Sequence, residues 1–222
     1  MKLFKNLLIR LLISDGSKMK IFSGPSSGSY VNYNFSNRTQ HLLGLYEREI
    51  YSFLLKSYKK ASLLVNIGAN DGYYVLGMLQ TGKKVIACEP GDRNDLIFNA
   101  KLNGFEVNKD YKLETRLVGN VNDVNYVSIK ELIGFTDQTI FILVDIDGGE
   151  FDLLKSCGYD FNFKNVIWLI ETHSKDLEEQ CISFLKTNNY SITIIKPAWW
   201  RYFIPELRPL DHNRWFFATP NI

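Results

Sequence analysis

Two short runs of this 222-residue chain hold most of the side chains able to move protons or bind ions. One is Asp145-Ile146-Asp147-Gly148-Gly149-Glu150, which follows the apolar run Phe141-Ile142-Leu143-Val144. The other is Glu171-Thr172-His173, which follows Val166-Ile167-Trp168-Leu169-Ile170. An apolar run that ends in carboxylates and a histidine reads as a buried strand with its chemistry at the tip. Strand alternation puts Asp145 and Asp147 on one side, and Glu171 and His173 on one side. An imidazole titrates near neutral pH, so His173 suits a general base, with Asp145 as the alternative. Either would take a proton from a hydroxyl as its oxygen attacks. A second reading is ionic: these carboxylates and His173 hold a hard divalent cation such as Mg2+, which lowers the pKa of a bound hydroxyl. Asp147 and Glu150 also suit the start of the next helix, where its dipole favours negative charge. Glu150 is assigned to that capping role. His41 and His212 read as surface residues.

A third run names a ligand class. Leu63-Leu64-Val65-Asn66-Ile67 breaks into Gly68-Ala69-Asn70-Asp71-Gly72, and Lys84-Val85-Ile86-Ala87-Cys88 follows, ending in Glu89-Pro90. Gly68 can adopt a backbone angle closed to other residues and lets a ligand approach the main chain. Glu89, about twenty residues on, is placed to accept hydrogen bonds from both hydroxyls of a ribose. The spacing lacks the G-x-G-x-x-G dinucleotide fingerprint, and no G-x-x-x-x-G-K-[ST] phosphate loop occurs. A nucleoside cofactor without phosphates is favoured, and S-adenosylmethionine fits. An ordinary strand–turn–helix without a ligand is the competing reading.

These tips need a sheet that brings them to one edge. Strands are expected at 62–67, 84–88, 104–107, 139–145, 165–170, 190–196 and 214–219. Helices are expected at 72–80, 92–103, 148–157 and 174–187, with Gly158 closing the third. Alternation of this kind gives an α/β fold: a seven-stranded, mostly parallel sheet with helices on both faces. The last two strands have no helix between them and form an antiparallel pair at one edge. Before them, apolar residues recur with a helical period from Gln40 to Lys59. The segment Ser23-Gly24-Pro25-Ser26-Ser27-Gly28-Ser29 reads as a turn or linker joining two short strand-like runs in a hairpin. Residues 1–38 are expected to form an extension and 39–222 the enzyme domain.

Between the last strands lies Pro197-Ala198-Trp199-Trp200-Arg201-Tyr202-Phe203-Ile204-Pro205-Glu206-Leu207-Arg208-Pro209. Aromatic faces suit sugar rings and Arg suits phosphate or carboxylate, so Trp199, Trp200, Arg201 and Tyr202 are candidate substrate contacts. A subunit interface, and hence a homo-oligomer, would use the same residues.

The net charge of +2 is too balanced to argue for nucleic acid. Cys88, Cys157 and Cys181 are odd in number, far apart and set in apolar patterns, which suits buried thiols in a reducing, cytoplasmic setting. The segment from Leu3 to Ile13 forms an amphipathic helix with a basic polar face. It suits peripheral contact with the inner membrane surface through residues 1–14, or packing on protein. It is too short to span a bilayer.

The set resembles the FkbM-type family of S-adenosylmethionine-dependent methyltransferases, from about Gly44 to Thr219. The resemblance is carried by Gly44-Leu45-Tyr46-Glu47, Val65-Asn66-Ile67-Gly68-Ala69-Asn70-Asp71-Gly72-Tyr73-Tyr74 and Glu89-Pro90. Asn99-Ala100-Lys101-Leu102-Asn103-Gly104, Asp145-Ile146-Asp147-Gly148-Gly149-Glu150 and Arg214-Trp215-Phe216-Phe217-Ala218-Thr219-Pro220 complete it. It implies a Rossmann-like class I methyltransferase fold. It further implies that Asn66, Gly68, Asn70 and Tyr73 line the methionine side, that Glu89 holds the ribose, and that Asp145 lies near the transfer centre. Members usually methylate oxygens of sugars, polysaccharides or secondary metabolites, so a glycan or small-molecule acceptor is implied. Leu143 stands where the family carries a lysine, and Asp147 where it carries a glutamate. Glu131 falls at its usual acidic position near the fourth strand. A membrane-surface adaptor that keeps the fold without catalysis is the alternative, with Leu3 to Ile13 as its anchor.

Overall fold

The computed structural model describes residues 16–33, 39–119, 123–134, 136–158, 163–203 and 212–221. The amphipathic segment from Leu3 to Ile13 lies outside them. The chain opens with a hairpin, β1 (Lys18–Lys20) against β2 (Tyr30–Asn32). Then come α1 (Thr39–Leu43), a 3-10 turn (Arg48–Ile50), α2 (Tyr51–Lys60), β3 (Leu63–Ile67), α3 (Tyr73–Leu79), β4 (Lys84–Cys88), α4 (Asn94–Leu102) and β5 (Lys112–Glu114). A parallel pair follows, β6 (Leu117–Val118) and β7 (Tyr126–Val127), then α5 (Ile129–Ile133), β8 (Ile140–Val144), α6 (Glu150–Lys155) and β9 (Val166–Thr172). The chain closes with α7 (Lys175–Thr187), β10 (Tyr190–Ile195) and β11 (Arg214–Pro220).

Seven strands form the central sheet in the order β10-β11-β9-β8-β3-β4-β5. Strands β9, β8, β3, β4 and β5 run parallel, and β11 is antiparallel to both β9 and β10. The parallel strands read as unbroken apolar runs because both faces are covered. One face of the sheet packs on the hairpin and helices α1 to α4, through Ile21, Leu54, Tyr58, Leu76 and Leu96. The other packs on α5 to α7, through Ile129, Leu153, Leu154, Cys181 and Leu185. Ser128 and Ser174 accept hydrogen bonds from the Glu131 and Leu177 amides at 3.0 and 3.1 Å, which caps α5 and α7. All three cysteines are buried and free. No helix among the described residues is long and apolar enough to cross a membrane.

Three differences from the sequence reading have physical causes. The strand expected at 104–107 is a half-buried turn, and the sheet edge is instead Lys112–Glu114. Phe105 and Val107 pack on the core without pairing in a strand. The helix expected across 40–59 is broken, because Gly44 and Glu47 take left-handed backbone angles of 65° and 43°. The segment 23–29 is the turn of the expected hairpin, and it is anchored on α3. Ser26 and Ser29 are buried, Ser26 donates to the Tyr73 carbonyl, and the Gln80 amide donates to Ser29 Oγ at 2.7 Å. Lastly, His41 is buried, not on the surface.

Candidate active site

Strand register lines up the chemistry. Ile67 pairs with Cys88 on one side and Val144 on the other, and Val144 pairs with Ile170. The next residue on each strand therefore falls in one row along the carboxyl edge: Glu89, Gly68, Asp145, Glu171. Strand order reverses at β3, which makes this the switch point where open α/β sheets bind ligands. A cleft of about 1090 Å³ opens there, lined by all four of these residues.

Gly68 is the pivot of the row. Its φ is 85°, and a Cβ built on it would sit 1.8 Å from the Asp145 carbonyl oxygen. Its amide and that of Ala69 both bond the Cys88 carbonyl at 3.0 Å. The Asp145 amide bonds the Ile67 carbonyl at 2.9 Å, so the three strand ends are locked together.

On one side of Gly68 stands Glu89. Its two oxygens each accept one backbone amide, from Asn70 at 2.7 Å and Gly91 at 2.8 Å. A carboxylate oxygen accepts more than one hydrogen bond. Glu89 is thus oriented and keeps acceptor capacity. Beyond it, Arg116, Leu117 and Val118 continue the cleft wall. Arg116 bridges Glu114 and Glu131 at 2.9 and 3.0 Å. Glu131 is held by that ion pair.

On the other side four carboxylates surround His173. Its Nδ1 lies 2.6 Å from Glu150 Oε1. Its Nε2 lies 3.4 Å from Asp147, 3.5 Å from Glu171 and 3.9 Å from Asp145. Burial alone would push this imidazole down, but hydrogen bonds and charge from Glu150 and Glu171 carry it up to about 10. Glu150 is fully buried at the first position of α6 and serves His173, not the helix end. The sequence held a signal for this: Glu150 shares a helical face with Leu153 and Leu154, three and four residues on, both buried.

The cleft has a third wall, of which the sequence reading gave a site role to Tyr73 alone. His41, Tyr46, Glu47, Tyr73 and Tyr74 line it. His41 packs on Tyr46 and Tyr73, with ring centroids 4.1 and 4.5 Å apart. Tyr74 donates to the Glu47 carboxylate, and the Tyr51 and Tyr73 hydroxyls are 2.9 Å apart. Burial, then the charges of Glu47, Asp145 and Glu171, push the Tyr46 phenol well above its ordinary value. Those three carboxylates therefore share one neighbourhood around Tyr46.

The other candidates divide. Asn70 and Tyr73 line the cleft, whereas Gly72 sits behind it at the start of α3. Asn66 is buried within β3 away from the lining, and neither amide atom has a hydrogen-bond partner among the described residues. Arg201 lines the cleft, clamped to Glu49 by two hydrogen bonds of 2.7 Å. Trp199 is 75% exposed, outside the lining, and edges onto Phe203. The side chains of Trp200 and Tyr202 lie outside the described part. His212 meets Glu178 at 3.0 Å and is not in the cleft lining, although its neighbour Asn213 is.

No protein-family model and no curated protein sequence matches this chain. Solved structures match its fold. An rRNA methylase from Streptococcus thermophilus superposes with a TM-score of 0.54 at 8% identity, over 79% of this chain and 98% of that one. The methyltransferase FkbM from Methylobacillus flagellatus KT gives 0.53 at 18% identity, over 72% of this chain and 44% of that one. A human methyltransferase 10 domain containing protein gives 0.52 at 13% identity, over 87% and 90%. The chain has the Rossmann-like class I methyltransferase fold. At these identities the likeness is one of fold, and the FkbM-type resemblance rests on the motifs.

Proposed function

We propose that this chain is an S-adenosylmethionine-dependent methyltransferase acting on a hydroxyl of a sugar, polysaccharide or secondary metabolite. One observation carries the reading. A carboxylate fixed for ribose, Glu89, and a proton-accepting cluster, Asp145 with Glu171, line one cleft on either side of Gly68.

The residues fit that cofactor. Glu89 keeps lone pairs for two ribose hydroxyls after accepting the Asn70 and Gly91 amides. The cleft is rich in carboxylates, with Asp71, Glu89, Asp92 and Asp145 all in its lining. Such a lining repels pyrophosphate and tolerates a cationic sulfonium. When bound, S-adenosylmethionine supplies an electrophilic methyl group. The protein's task is mainly to align the acceptor oxygen with that methyl, which is worth more than base strength in such a displacement. Both ring nitrogens of His173 already face carboxylates. The acceptor's proton therefore passes to Asp145 or Glu171, and His173 holds those groups in place. The acidic, tyrosine-walled end suits a neutral polyol better than an anion.

The adaptor alternative fits less well, because buried, clustered carboxylates are costly to keep without a use. The test is production of S-adenosylhomocysteine from S-adenosylmethionine over a panel of sugars, polysaccharides and hydroxylated small molecules. The reading expects methyl ethers as products and a large loss of turnover in Asp145→Asn. Methylation at nitrogen or carbon would overturn the acceptor class.

A further inference from the structure

The charge of this chain is divided unevenly. Residues 1–46 carry six Lys and Arg against one Asp, a net +5, and residues 47–222 carry a net −3. A basic segment on an otherwise acidic chain points to an anionic partner. Residues 16–46 hold no Asp or Glu at all. The hairpin β1–β2 turns the basic side chains of this segment outward. Met19, Ile21 and Val31 pack on the core, so alternation sends Lys18, Lys20 and Phe22 to the other side. Lys20 pairs with Tyr30 across the hairpin, and Lys18 Nζ stands 4.2 Å from the centre of the Tyr30 ring. Phe22 is 65% exposed. Its amide bonds the Leu42 carbonyl at 2.8 Å, which brings the exposed Leu43 beside it. Lysine on an edge strand also deters strand pairing, but that role gives exposed Phe22 and Leu43 no purpose.

We propose that this outer face of the hairpin docks on an anionic lipid surface. Aromatic and aliphatic side chains with lysines between them suit the headgroup region of a bilayer. The sequence just before the hairpin has the same character, an apolar stripe from Leu3 to Leu12 with Lys2, Lys5 and Arg10 opposite. Weak membrane signals hold a protein when two act together, and here they adjoin. Nucleic acid would take the lysines but leave Leu43 and the leucine stripe without a partner. Helix α1 carries both Leu43 and the cleft residue His41, so the docked face borders the cleft. Docking itself needs neither cofactor nor catalysis and stands apart from the proposed function.

The test is co-sedimentation of the full chain with vesicles at low and high salt. One set is phosphatidylcholine alone, the other phosphatidylcholine and phosphatidylglycerol in equal parts. Binding to the anionic vesicles, weakened by salt, is expected. A lysine at such a surface is worth about fivefold in affinity, so Lys18→Gln with Lys20→Gln should weaken binding roughly 20–30-fold. Phe22→Ser should weaken binding and leave its salt dependence unchanged. Lys175→Gln with Lys186→Gln removes the same charge from α7, on the opposite face of the sheet, and should bind as the wild type does. The substituted side chains are exposed, and matched Tm values check that each variant folds. No binding to anionic vesicles would overturn the proposal. Undiminished binding by the hairpin variants would do so too, as would equal loss in the α7 variant. A dimer that Phe22→Ser dissociates, with no vesicle binding, would assign the face to a second copy of the chain. Retention of duplex DNA in place of vesicles would assign it to nucleic acid.

Discussion

Gly68→Ala is the substitution whose cost can be worked out from position alone. The residue sits at φ 85°, and the new Cβ would lie 1.8 Å from the Asp145 carbonyl oxygen and 2.8 Å from its carbonyl carbon. Both are backbone atoms at the end of β8, so no side-chain rotation relieves the collision. A left-handed angle for alanine costs about 1–2 kcal/mol. Forcing packed backbone apart adds about 1–3 kcal/mol. The sum, roughly 2–5 kcal/mol, lowers Tm by roughly 4–20 °C for a chain of this size. Gly104→Ala is the matched control, because Gly104 has φ 83° with nothing within 4 Å of its would-be Cβ. It should lose only the angular part. Thermal and urea unfolding of both variants separate the two terms. The displaced Asp145 should also weaken S-adenosylhomocysteine binding in Gly68→Ala and not in Gly104→Ala. Equal destabilisation of the two variants would refute the claim that the ends of β3 and β8 are locked at this glycine.

Two further outcomes follow from ion pairs. Arg116's hydrogen bond to Glu114 outweighs burial and holds that carboxyl at about 2, against an ordinary 4.5. A depressed folded pKa stabilises above the unfolded value and is lost as pH falls through the folded one. Urea midpoints should therefore drop between pH 4.5 and 2, and Glu114→Gln should flatten that drop. Glu49 holds Arg201 and the Ala198 amide, and both charged side chains are largely buried. Glu49→Ala takes a bidentate carboxylate from the largely buried Arg201 guanidinium and should destabilise the fold, by up to about 3–5 kcal/mol. S-adenosylhomocysteine affinity should be unchanged, because Glu89 belongs to the other side of Gly68.

The buried parallel strands were legible because each is an unbroken apolar run ended by a glycine or carboxylate. Leu63–Ile67, Lys84–Cys88 and Ile140–Val144 fall within a residue of expectation for that reason. Lys112–Glu114 was not, since a three-residue edge strand buries too little to leave a pattern, while Phe105 and Val107 nearby imitate one. The same logic divides the site. Glu89, Asp145, Glu171 and His173 announce themselves at strand tips. Glu47 and His41 do not, because the turn that carries them inward depends on left-handed Glu47, which nothing local demands. Glu150 was misassigned because a carboxylate at a helix start has a sufficient local explanation. Only the fold reveals His173 beside it.

Isothermal titration of S-adenosylmethionine and S-adenosylhomocysteine into the wild-type protein and into Glu89→Ala tests the central claim most directly. On the proposed function, Glu89 would give a ribose two charge-assisted hydrogen bonds, each worth about 1.5–3 kcal/mol. One-to-one binding in the wild type, weakened about a hundredfold or more in Glu89→Ala, is the predicted result. Absence of binding in the wild type, or equal affinity in the two proteins, would contradict it.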